Sequence, residues 1–111
     1  MSLLSKLRQA RQDILARMAL IEEMRRGSVT RQFLKIRVKG KSEPNLTGPY
    51  ALFTSKKEGR TVGRRLHDPE EIRRLEHQVE NFHIFQALCR KLVEIGEQIC
   101  EMKDKDKEGR R

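Results

Sequence analysis

The sequence predicts an α+β fold: a long, coiled-coil-like hairpin of two antiparallel helices, with a small three-stranded antiparallel sheet inserted between them. Three observations carry that expectation. Apolar residues recur at helical spacing over residues 2–26 and again over 69–102. Between these stretches the spacing drops to two and is punctuated by glycine and proline. The charge follows the same division: residues 25–66 hold twelve Lys/Arg against only Glu43 and Glu58, while the two flanks nearly cancel. The net charge of +9 is therefore a property of the middle third, residues 28–66 being a basic β insert between two helices.

The first helix is expected over 2–26. Leu4, Leu7, Arg11, Ile14, Met18 and Ile21 step by three and four, the seam of a coiled coil, and Leu15 and Met24 widen the stripe. Arg25 and Arg26 suit the negative end of a helix dipole, and Gly27 supplies a stop. Beyond Gly27, Leu34, Ile36 and Val38 alternate with Lys35, Arg37 and Lys39, the pattern of a strand with one face inward. A loop is expected over 40–49, where Pro44, Asn45, Gly48 and Pro49 fall. Residues 50–54 form a second strand, 55–60 a turn closed by Gly59, and 61–66 a third strand. Connections this short permit a meander and exclude parallel crossovers.

Asp68-Pro69-Glu70-Glu71 marks the second helix. Asp68 caps its free amides, Pro69 fits the first position, and Glu71 has the spacing to reach back as in a capping box. The apolar stripe runs through Ile72, Leu75, Val79 and Phe82, then through Phe85, Leu88, Leu92, Ile95, Ile99 and Met102. The steps of three around Phe82, Phe85 and Leu88 shift the stripe around the helix. Residues 103–111 alternate charge without apolar anchors and are expected to fray. Because the second helix outruns the first, Leu88, Leu92, Ile95, Ile99 and Met102 are the expected oligomer interface, and a homodimer is expected.

A 111-residue chain with 36% apolar and 37% charged residues is read as a single domain with a thin core. Its basic balance points to nucleic acid, an anionic membrane surface or an acidic protein. No leader peptide and no apolar run of membrane length is read, so a cytoplasmic protein with no membrane partner is expected. Cys89 and Cys100 lie eleven residues apart on one helix, about 16 Å, too far to pair with each other.

The candidate nucleic-acid-binding residues are Arg31, Lys35, Arg37, Lys39 and Lys41 on the first strand and its loop, with Lys56, Lys57, Arg60, Arg64 and Arg65 on the other two. Alternate residues of a strand recur about 6.7 Å apart, close to two phosphate steps on one DNA strand. The competing reading of such a charge run is a solvated outer face. Phe33, Tyr50 and Phe53 are read as core positions of the sheet. His67, His77 and His83 make no ligand set, and Glu80 with His83 is a di-iron spacing without the carboxylates such a site needs from other helices. Ser28, Ser42 and Ser55 have no readable His/Asp arrangement, and no phosphate-cradling glycine loop occurs. No catalytic residue, metal or cofactor is expected.

Arg26-Gly27-Ser28-Val29, Gly48-Pro49-Tyr50 and Gly59-Arg60-Thr61, followed by a helix after a charged cap, form a pattern over about residues 20–100. It resembles a family of small uncharacterised prokaryotic proteins encoded near transposases. That family has a helix, an R-G-S start, a basic cysteine-containing hairpin, an H-G-P-Y motif and a closing helix. The hairpin cysteines are missing here and Thr47 stands where the motif has His, so no metal knuckle is carried over. The resemblance implies a mobile-element or nucleic-acid context. The expected function is a non-enzymatic accessory protein that binds DNA or RNA through backbone phosphates. The alternative is a coiled-coil adaptor that assembles with another protein through its second helix. Cations gathered on one face of the sheet favour the first; cations scattered over both favour the second.

Overall fold

The computed structural model describes residues 2–36, 39–40 and 45–109, with side chains except at 33–36, 45–49 and 107–109. Along the chain run α1 (Leu3–Ala19), β1 (Ser28–Ile36), β2 (Asn45–Lys57), β3 (Arg60–Leu66) and α2 (Pro69–Gly109). The expected α+β architecture, two helices with a three-stranded antiparallel sheet between them in the chain, is what the molecule has. Its contacts fall into two compact units. One joins residues 1–23 to 83–111, and the other is residues 24–82.

In the first unit, Ser2 caps α1 by accepting the Ser5 amide at 3.1 Å. Ile14 on α1 and Leu88 on α2 are buried. Leu3 and Leu7, at the start of α1, share a hollow with Gln98, Met102 and Lys105, late in α2, so the two helices run antiparallel. The tail expected to fray is helical through Gly109. Glu101 and Lys105 stand four apart with the acid first, the order that supports a helix. The stripe shift read around Phe82 and Phe85 falls where α2 passes from one unit to the other. Ile72, Leu75 and Val79 serve the core of the second unit, and Leu88 that of the first.

α1 does not reach residue 26. It ends at Ala19 with Leu20 as its cap, and the amides of Leu20 and Ile21 bond three residues back, tightening the last turn. A helix through 26 would commit the Arg25 amide to the carbonyl of Ile21. Instead that amide donates to the Gln78 carbonyl at 3.0 Å, and Arg25 Nε donates to Gln78 Oε1 at 3.0 Å. Gln78 is buried, and an unpartnered amide there would cost about 1–3 kcal/mol. A tertiary pair thus overrides helix periodicity and turns the segment before Gly27 into a strap on α2.

Gly27 starts the sheet rather than stopping a helix. Its φ is +140°, and a Cβ there would lie 2.6 Å from the Thr54 carbonyl oxygen and 2.8 Å from Phe53 Cε2. The strand order is β1-β2-β3, antiparallel throughout. β1 begins earlier than read, with Ser28 opposite Thr54 and their hydroxyls 2.7 Å apart. β2 also takes in residues 45–49, read as loop. Register shifts between Gln32, opposite Tyr50, and Leu34, opposite Thr47, so Gly48 and Pro49 together face Phe33. A bulge is where a strand tolerates proline, which has no amide proton for the ladder. Glu58 and Gly59 close the β2–β3 hairpin with φ of 51° and 79°, a two-residue turn whose handedness matches the strand twist.

The core of this unit is small: Ala51 and Leu66, each 1% exposed, with Ile72 and Leu75, and with Val29 and Phe53 packed against them. α2 begins beside it with Asp68 Oδ1 accepting the Glu70 amide at 3.1 Å. Glu71 makes an ion pair with Arg64 at 2.6 Å in place of the expected capping box.

Candidate nucleic-acid interface

Strand alternation and the observed register assign every described sheet residue to a face. Val29, Phe53 and Arg64 stand in one cross-strand row, and Arg31, Ala51 and Leu66 in the next. This is the inner face, against α2. The outer face carries Ser28, Thr30 and Gln32 on β1, Tyr50, Leu52, Thr54 and Lys56 on β2, and Thr61, Gly63 and Arg65 on β3. A Cβ at Gly63 would meet the Leu52 and Thr54 side chains at 3.6 and 3.7 Å, confirming that these residues share a side.

The expected comb of cations is divided by this register. Arg31 lies on the inner face, its Nη2 2.9 Å from Glu76 Oε1. The hydrogen bond that Arg31 donates to Glu76, and secondly the negative charge of Glu76, make the Arg31 proton harder to remove. Arg64 is likewise inner and held by Glu71. Lys57 and Arg60 pair at the hairpin end in inner register, while Lys56 and Arg65 are outer. Lys39 is exposed in a turn; Lys35 pairs through its backbone with Leu46, its side chain lying outside the description, and Arg37 and Lys41 lie outside the described residues.

Two residues outside that list enter the site. The strap before Gly27 brings Arg25 and Arg26 to the hairpin end of the sheet. There they line an open hollow of about 520 Å³ with Lys56, Lys57 and Arg64, and no described residue of its lining carries a carboxylate. A neighbouring hollow of about 400 Å³ is edged by Arg26 and Lys56 and by the hydroxyls of Ser28, Thr54, Ser55 and Thr61. Arg25 and Arg26 could be found only by knowing that α1 stops before them.

Tyr50 departs from its expected place in the core. It is a half-buried residue of the outer face, with the Arg65 guanidinium carbon 4.3 Å from its ring centroid. Its hydroxyl donates to Gln32 Oε1 at 3.3 Å. Phe53 does pack on the core, and the Phe33 side chain lies outside the description.

The expected oligomer residues are placed as follows. Leu88 is 3% exposed within the single chain; Leu92, Ile95, Ile99 and Met102 are half-buried. On the same two helices Leu3, Ile84 and Val93 are exposed. Among the described residues no three His, Cys, Asp or Glu side chains cluster to hold a metal, and no helix is long and apolar enough to cross a membrane. Cys89 and Cys100 are unpaired. No family model, curated protein or solved structure matches the chain.

Proposed function

We propose that this protein is a non-enzymatic nucleic-acid-binding accessory protein that grips backbone phosphates at the hairpin end of its sheet. The observation that supports it is the hollow where Arg25, Arg26, Lys56, Lys57 and Arg64 converge with no carboxylate among the described lining residues. Like charges brought together in a concave surface focus a positive potential, and a polyanion relieves their repulsion. Arg25 and Arg64 are tied to Gln78 and Glu71, which leaves the exposed Arg26, Lys56 and Lys57 as the phosphate contacts. Such contacts fix position without reading sequence, which fits an accessory role in the mobile-element context that the family resemblance implies.

The test is the salt dependence of binding. Each phosphate contact contributes about −0.9 to the slope of log K against log salt on duplex DNA, or about −0.7 on a single strand. Replacing Arg26, Lys56 and Lys57 by Gln should therefore flatten the slope by about 2–3 units. Arg31→Gln, on the side of the sheet turned to α2, should leave it nearly unchanged. No binding to any nucleic acid at low salt, or an unchanged slope in the triple variant, overturns the reading.

A second reading, helix-mediated assembly, is favoured by a separate observation: Val93, on α2, remains 61% exposed. If that face joins two copies, Val93→Asp shifts sedimentation equilibrium to monomer. A wild-type chain already monomeric at high concentration removes it.

A further inference from the structure

We infer that the preferred ligand is an unstacked single strand of nucleic acid, laid along the outer face of the sheet with one base on the Tyr50–Arg65 pair and its phosphates at Arg26 and Lys56. The inference rests on the nucleic-acid reading above and says which form of nucleic acid the site takes.

Charge density argues first. From Tyr50 to Lys56 the face runs six residues, about 20 Å. Among the described residues it offers three cations over that length, Arg26 and Lys56 at one end and Arg65 at the other, with uncharged Thr30 and Thr54 along it and Gln32 opposite Tyr50. A duplex presents one charge per 1.7 Å of axis, about twelve over the same span, and three cations match that poorly. A single strand carries fewer charges and brings exposed base faces, which aromatic and guanidinium planes stack on.

Chemistry and preorganisation argue next. Arg65 stands on β3 opposite Leu52, diagonal to Tyr50, and its guanidinium lies over the ring at 4.3 Å. The hydrogen bond from Tyr50 to Gln32 holds the ring from its other end. Arg65 is exposed, so its outward plane is open to a base while the ring supports it from beneath. Between this platform and the basic end lie Ser28, Thr30 and Thr54, with Thr61 opposite Lys56, hydroxyls that donate to or accept from sugar and phosphate oxygens. No described residue of the face is acidic to repel the strand. A duplex keeps its base faces inside its own stack and leaves the Tyr50–Arg65 pair unused.

The protein carries its own reporter. Tyr50 is its single tyrosine and tryptophan is absent, so tyrosine emission of the unmodified chain comes from the proposed contact alone. Titrating with a dodecamer of deoxythymidylate, a dodecamer of uridylate, and a duplex of equal length at one salt concentration should quench that emission with either single strand and not with the duplex. Single strands should also bind more tightly by anisotropy, and the ratio of the two identifies DNA or RNA as the better ligand. Tyr50→Ala should weaken single-strand binding roughly 5- to 150-fold without changing the salt slope, since stacking carries no counterion. Tyr50→Phe should retain most of the affinity. Duplex binding as tight as single-strand binding, or quenching by neither single strand, overturns the inference while leaving phosphate binding at Arg26, Lys56 and Lys57 intact. Absence of binding to all three ligands removes the nucleic-acid reading itself.

Discussion

The two faces of the sheet are built from the same three strands and put to different use. On the face toward α2, Arg31 and Arg64 each meet a carboxylate of that helix, and Val29, Ala51, Phe53 and Leu66 supply the core. On the opposite face no described residue is acidic, hydroxyl and amide side chains prevail, and the half-buried Tyr50 lies under Arg65. A surplus of basic residues in a sequence is therefore not one basic surface. Here part of it anchors the sheet to a helix, and the part free to meet a polyanion lies at the hairpin end and on the outer side. The division bears on the two functional readings: cations do stand on both faces, as an adaptor would have them, yet Arg31 and Arg64 are held by carboxylates of α2, whereas Arg26, Lys56 and Lys57 at the hairpin end have no carboxylate partner among the described residues.

The sharpest way to break the comparison is Leu66→Ala. Leu66 is 1% exposed in a core of four buried side chains, and its truncation should cost about 2–5 kcal/mol in urea denaturation. Leu52→Ala, on the outer face over Gly63, should cost about 1 kcal/mol. Equal losses would mean that the two faces are not distinguished by burial.

Gly27→Ala tests the junction between strap and sheet. The added methyl would meet the Thr54 carbonyl and the Phe53 ring in a backbone conformation that favours glycine, so a loss of more than about 1 kcal/mol is expected. Thermal unfolding that matches the unmodified protein would show that the strap does not lie where Arg26 can join Lys56.

The smallest expected change is a gain. Glu58 adopts φ of 51° in a turn suited to Asn-Gly, so Glu58→Asn should raise stability by up to about 1 kcal/mol. It also removes the one carboxylate between Lys57 and Arg60, so binding at low salt should tighten slightly. Weaker binding in a more stable variant would place the contact away from the hairpin end.

Much of the fold is legible from neighbours along the chain. The helical stripes, the Asp68-Pro69 start of α2, the turn at Gly59 (read over 55–60, though only Glu58 and Gly59 lie outside the strands) and the alternation that marks strands are short-range signals, set by backbone geometry within a few residues. Even the stripe shift near Phe82, where α2 changes units, is written in spacing. Tertiary structure decided the rest. It ended α1 at Ala19, because Arg25 finds Gln78 fifty-three positions away, and it drew Glu71 from its cap to Arg64. It admitted Pro49 to a strand through a bulge opposite Phe33 and gave Arg31 a partner forty-five residues off. It also turned Tyr50 outward beneath Arg65. Spacing sets which residues share a side of an element. Which side meets another element, and which charge meets its counter-charge there, depends on contacts between distant residues that no local period encodes.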